Sequence, residues 1–221
     1  MTGAGGSLAA ASVTGSRTTL AAAAAPSVFD FDPVQPNKRD NVTVPRGFDY
    51  DLIARWGDPV VAGAPVFDAY HQTPRAQSMQ FGYNCDYVGV ISIPEKRGSA
   101  IMAVNHEYTD EVLMFPDGIY NEATIKRIAM QAHGMSVIEI HRGRKPGSWR
   151  RTRPAETTYN RRITATTPMR LTGPAAGAKR LKTSADSTGR NVLGMLNNCA
   201  GGKTPWGTIL TGRRTSTSTS T

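Results

Sequence analysis

Val88-Gly89-Val90-Ile91-Ser92-Ile93 and Ala100-Ile101-Met102-Ala103-Val104 decide the fold. Each is a short apolar run, rich in β-branched residues and too brief for a helix. The stretch between them, 94–99, opens on Pro94 and contains Gly98, so it reads as a hairpin loop. Outward from this pair, residues 135–140, 192–196 and 207–210 are further strand-like runs, several bounded by Pro, Gly or Asn. One helix is expected over 121–133. Asn121 can cap it, Glu122 suits its positive end, and Ile125, Ile128, Ala129 and Ala132 share one face until Gly134 ends it. Residues 141–190 are basic, poor in periodicity and rich in turn signals, and no repeat of 20–50 residues stands out. Short strands alternating with turns predict a mainly β chain of sheet or blade architecture.

The chain has 221 residues, of which 39% are hydrophobic and 19% charged. That is one domain, or one domain with tails, and it is too apolar for a wholly disordered chain. No run of strongly apolar residues is long enough for a membrane-spanning helix. Two cysteines exclude a disulfide-dense scaffold and a four-thiolate zinc site. The formal charge of +9 is unevenly placed: residues 1–140 carry a net −5 and residues 141–221 a net +14. A half so basic either attracts polyanions or is simply a solvated, loop-rich surface. Residues 1–26 are mostly Ala, Gly, Ser and Thr with one charge, Arg17, and end in an Ala run before Pro26. They read as the late part of an export signal cleaved near Ala25, with its Arg-Arg start missing, or as a disordered tail. Residues 27–211 form the expected domain. Residues 212–221 end in a Thr-Ser repeat and are expected to be a disordered tail left by truncation or a frame change.

Two constellations carry possible chemistry. Asn105-His106-Glu107 follows the 100–104 strand, and a strand end holds a carboxylate rigidly at a rim. With Tyr108, Thr109 and Asp110 it is oxygen-rich, which suits a hard cation, although a capped, solvated turn would look the same. Asn197-Asn198-Cys199-Ala200-Gly201-Gly202 follows the 192–196 run. A thiolate there is a nucleophile or a soft metal ligand, and the small residues after it would let a ligand approach the backbone. The alternative is a buried structural thiol, and Cys85 could pair with it as a disulfide. His133, at the expected helix end, suits the negative terminus as a cation. Arg161-Arg162, and Lys179-Arg180 with Lys182, could grip phosphate or remain solvated.

Taken together the segments resemble the PhoX-type alkaline phosphatases. The resemblance lies in Val44-Pro45-Arg46-Gly47-Phe48, the 81–87 block, Val104-Asn105-His106-Glu107-Tyr108-Thr109 and Leu113-Met114-Phe115-Pro116. It continues in Ala132-His133-Gly134, the 159–164 block, the 171–177 block and residues 196–207. It implies a partial β-propeller with an incomplete set of blades and an iron and calcium cofactor cluster. It also implies phosphate monoesters as substrates, and a parent exported folded, by the twin-arginine route, to the periplasm or beyond. Cys199 would be the iron-ligating thiolate, Glu107 a carboxylate ligand, and Asn198 a polar contact at the catalytic site. Three departures stand out: Cys85 replaces an Asn of the family pattern, Ala178 stands where His is more usual, and the similarity runs out at Thr211. The expectation is therefore an N-terminal fragment of a metal-dependent phosphatase, inactive by itself. The competing readings are a basic polyanion- or nucleic-acid-binding module, to be recognised by salt-dependent binding, and an inert structural fragment.

Overall fold

The computed structural model describes residues 31–213. The Ala-rich segment 1–26 and the Thr-Ser repeat 215–221 lie outside the described residues. The chain divides into two compact units, Met1–Asp49 and Tyr50–Thr221. The described part of the first has no regular element, and its Phe31 and Phe48 rings meet edge to face at 4.9 Å.

The second unit is mainly β. Strands β1 (Cys85–Ser92), β2 (Ser99–His106), β3 (Gly134–Arg142), β4 (Trp149–Arg151) and β5 (Arg161–Ile163) form one antiparallel sheet. Strands β4 and β5 share the outer edge of β3, end to end: Ile140–Arg142 pairs with β4 and Met135–Val137 with β5. Two hairpins follow, β6 (Pro168–Arg170) with β7 (Asn191–Leu193), and β8 (Asn198–Lys203) with β9 (Ile209–Arg213). Helices α1 (Pro74–Gln77) and α2 (Glu111–Met114) are single turns, while α3 (Glu122–Ala132) is the one substantial helix. Asn121 caps α3 by accepting from the Thr124 N–H at 2.9 Å, and Lys126 pairs with Glu122 one turn away. The sheets do not close into a ring among the described residues.

The core follows from the two-residue period. Ala100, Met102 and Val104 alternate along β2, with Ile140 and Ile138 opposite the first two, and all are buried with Val60 and Phe81. Burying each of the larger side chains stabilises the fold by roughly 1.5–3 kcal/mol. On α3, Ile128 and Ala132 bury against Met114 and Phe115, with Trp56, Tyr83 and Tyr120 packed around them.

The sharpest departures from the sequence reading lie in the basic half. Strands β4, β5 and β6 are three-residue elements whose charged residues hide any apolar alternation. The run 192–196 is a strand only to Leu193, because Gly194 turns into the left-handed region against the Thr164 carbonyl. The last run begins at Ile209, two residues later than expected, and continues through Gly212 and Arg213. Those residues were assigned to the tail, but Arg213 pairs with Asn198. Arg162 is neither solvated nor available to phosphate. It is buried on β5 and donates to five backbone contacts, the carbonyls of Gln80, Gln131, His133, Met135 and Ile163, at 2.6–3.0 Å. It is the cation at the α3 terminus. His133 is buried instead, and desolvation, aided by Arg162, pushes its pKa down against a pull from Glu107.

Two outcomes are expected. Arg162→Met leaves carbonyls of four separate segments without their donor, which lowers unfolding stability by at least about 3 kcal/mol in urea titration. A change under 1 kcal/mol, on the order of one ordinary hydrogen bond, would show that Arg162 is dispensable. Asp186 organises the turn before β7, accepting from the Thr188 hydroxyl and from the N–H groups of Thr188, Arg190 and Asn191. These donors, the Thr188 hydroxyl foremost, hold its carboxyl well below the ordinary value of 3.8. Its contribution is complete above that value and is lost as pH falls through the folded one. Asp186→Asn should therefore speed tryptic cleavage after Lys182 and Arg190 at neutral pH, and unchanged cleavage kinetics would refute that role.

Candidate metal centre

Asp86, Glu107 and Cys199 converge so that one donor atom from each lies within 4.8 Å of the others. Two are the expected site residues, brought together from the end of β2 and the start of β8. The third, Asp86 on β1, was not singled out from the sequence.

The local backbone explains the convergence. Along β1 and β2 the register runs Cys85↔His106 and then Val88↔Val104, so Asp86 and Tyr87 face Asn105 alone. Along β8 and β9 it runs Asn198↔Arg213 and then Gly201↔Thr211, so Cys199 and Ala200 face Gly212 alone. Both Asp86 and Cys199 thus sit in β-bulges, which re-aim a side chain out of the regular alternation. Each bulge is entered the same way. Asn84 (φ 50°) and Asn197 (φ 56°) are the two non-glycine residues among those described with left-handed backbone. Each stands two positions before its donor, and Asn tolerates this conformation better than most residues. The repeated pattern Asn-x-donor, in Asn84-Cys85-Asp86 and Asn197-Asn198-Cys199, is the signal that could have found Asp86. Glu107 is tied to the first turn by its own N–H, which donates to the Asn84 carbonyl at 3.3 Å.

A relay of side chains holds the two bulges together. The Asn198 amide donates to the Thr211 hydroxyl (2.9 Å), and that hydroxyl donates to Asn105 Oδ1 (3.0 Å). Asn105 Nδ2 then donates to the Cys199 and Ala200 carbonyls at 3.1 and 3.0 Å, the two carbonyls of the β8 bulge. Asn105 is fully buried, and sequence reasoning gave it no role. Asn198 lies beside the cluster and is also buried. Its Oδ1 has no hydrogen-bond partner among the described residues.

Below Glu107, His106 is buried edge-on to Phe81 at 4.8 Å, with Nε2 against Ser136 Oγ at 2.8 Å. Burial, with the Arg162 charge behind it, holds this imidazole neutral, well below its usual range. Of the two glycines after Cys199, Gly201 does not open the backbone to a ligand as expected: a Cβ there would meet the Tyr87 ring at 2.3 Å, so it admits an aromatic side chain from the first bulge, whereas Gly202 faces open space. Cys85 and Cys199 are both free thiols, so the possible disulfide between them is not formed.

Two carboxylates and a thiol at this spacing form a mixed hard and soft donor set. The carboxylates suit calcium or iron and the thiolate suits iron. The set therefore fits those ions on its own chemistry. It also supplies fewer donors than the six to eight oxygens that calcium takes.

No match was found among curated proteins. The family model described as "Alkaline phosphatase PhoX" matches residues 29–220. Among solved structures, Pseudomonas fluorescens PhoX in complex with vanadate, a transition state analogue, superposes with a TM-score of 0.73 at 40% sequence identity. That similarity covers 82% of this chain and 31% of the other, so the chain spans about a third of its solved relative. With a family match over all the described residues and a shared fold at this identity, the chain belongs to the PhoX alkaline phosphatase family.

Proposed function

We propose that this chain forms the metal-binding N-terminal portion of a phosphate monoesterase, with Asp86, Glu107 and Cys199 as ligands to an iron and calcium cluster. The convergence of these three donors, two of them on matched bulges, carries the reading. The vanadate complex of the P. fluorescens relative supports phosphoryl transfer as its chemistry. In this reading the sheet and hairpins are parts of propeller blades, and the parent works outside the cytoplasm.

When bound, the ions would supply charge neutralisation at the phosphoryl oxygens and a water-derived nucleophile. The chain's own residues do the holding. Cys199 and Asp86 present their donors from bulges whose backbone is fixed by Asn105, Asn84 and Asn197. Glu107 presents its carboxylate from the end of β2, above a packed and neutral His106. Asn198 acts by positioning: its amide anchors the relay to β9, and its buried Oδ1 has no hydrogen-bond partner among the described residues. Three protein donors do not saturate such a cluster, so the chain alone hydrolyses phosphate monoesters at close to background rate.

A ferric thiolate absorbs in the visible, which gives the test. Iron added to the purified chain should develop that band in the wild type and in Cys85→Ala, and not in Cys199→Ala. Glu107→Gln and Asp86→Asn should each weaken iron retention by at least about tenfold. A band that survives Cys199→Ala would remove the thiolate from the site. The rival reading is a basic module for nucleic acid, resting on the net +14 of residues 141–221. It requires DNA binding in EDTA that falls steeply with salt, and none is expected at physiological ionic strength.

A further inference from the structure

Glu107 is the first residue beyond both of its ladders. On one side β1 pairs with β2 as far as Cys85↔His106, and on the other β3 pairs with it as far as His106↔Gly134. Past those ends the main-chain groups need partners from outside the sheet. Glu107 has one on each side. Its N–H donates to the Asn84 carbonyl at 3.3 Å, in the turn that enters β1. From the other side the His133 imidazole hydrogen-bonds to the Glu107 main chain. The register places the two together: it runs without a slip from Ser99↔His141 to His106↔Gly134, so Glu107 and His133 are the next pair in line. A side chain supplies the rung that the ladder no longer makes.

His133 is itself held fast. It ends α3, is 8% exposed, and its carbonyl accepts from Arg162 at 2.7 Å. Its Nδ1 is buried without a hydrogen-bond partner among the described residues. The bond to Glu107 is therefore made by Nε2, and the neutral ring carries its one proton there, since an N–H on Nδ1 would be buried unsatisfied. Packing alone would not select this residue. A phenylalanine would fill similar space without burying a bare nitrogen, so it is the donor on the far side of the ring that the site uses.

We infer that His133 is a positioning residue for Glu107: its ring N–H fixes the Glu107 peptide across the open end of β2 and so aims the carboxylate at Asp86 and Cys199. It joins the Arg162 contacts to the donor cluster. Its bearing on iron rests on the metal-centre reading above, whereas the hold on Glu107 does not.

The test uses the full chain, stripped with EDTA and isotopically labelled in histidine nitrogen and glutamate carbon for NMR. The His133 ring N–H should exchange with water far more slowly than that of the exposed His71. The Glu107 carboxylate resonance should move in His133→Phe and return in His133→Gln, whose amide also donates. With iron added, His133→Phe should retain the ion at least tenfold more weakly at unchanged far-UV dichroism, and His133→Gln should recover retention. Exchange as fast as at His71 would overturn the proposal. So would a Glu107 resonance and iron retention in His133→Phe equal to wild type, and so would a His133→Gln no better than His133→Phe. Should His133→Phe fail to fold, ring exchange in the wild type and the His133→Gln variant decide the matter. A wild type that develops no ferric-thiolate band would overturn the metal-centre reading, and the exchange and carboxylate resonances would still decide whether His133 positions Glu107.

Discussion

The guanidinium of Arg162 is the contact on which the second unit depends. Its donors reach the carbonyls of Gln80, Gln131, His133, Met135 and Ile163, which belong to the segment after α1, the end of α3, β3 and β5. Burial lowers its pKa to about 9, still far above neutral, so it remains a cation, with no carboxylate paired to it among the described residues. A buried charge is tolerated when hydrogen bonds replace its water, and five carbonyl oxygens do so here. The exchange benefits both sides. The last carbonyls of a helix have no partners of their own, and a cation at that terminus also favours the helix dipole. The same guanidinium thereby sets where α3 stops, where β3 begins and how β5 docks.

That arrangement reaches the candidate metal centre through β2 and β3. Gly134 leaves α3 with φ 97° in a space where a Cβ would lie 2.2 Å from the Ile163 carbonyl, so only glycine lets β3 start there. β3 then registers β2, with Asn105 opposite Met135 and His106 opposite Gly134. The burial of Asn105 and His106 follows from that register. Asn105 faces both bulges, and its amide replaces the ladder partners that the β8 bulge lacks. The donors are thus aimed by backbone that is satisfied without them. Substitution of a donor would consequently change ligand binding far more than it changes the fold.

What the sequence made legible follows from which forces act locally. The β1–β2 hairpin and β3 were readable as short apolar runs bounded by turn residues, although β2 is buried without alternation from Met102 to His106, and α3 was readable from its apolar face and its Asn121 cap. Glu107 does follow a strand end, whereas Cys199, singled out as following the 192–196 run, lies inside β8. Asp86 was not legible, because a bulge defeats the alternation by which facing is inferred. Arg162 was read as one of a basic pair, since nothing within three residues of it announces a set of carbonyls drawn from distant segments. His133 was misjudged for the same reason: the cation at its helix terminus comes from β5, not from the helix. In each case the decisive contact lies tens of residues away in sequence and involves backbone atoms, which carry no residue-type signal.

Asp86, Glu107 and Cys199 bring two carboxylates and a thiol within 4.8 Å of one another. Attraction among the three does not gather them, because carboxylates repel one another at short range. The backbone does so instead. The β1 bulge places Asp86, the β8 bulge places Cys199, and the Glu107 N–H bonds the Asn84 carbonyl at the turn that enters the first bulge. Both bulges meet on Asn105, whose amide spans the Cys199 and Ala200 carbonyls and whose Oδ1 accepts from the Thr211 hydroxyl. The spacing of the donors is therefore a property of the fold, and a cation that entered would meet groups already aimed.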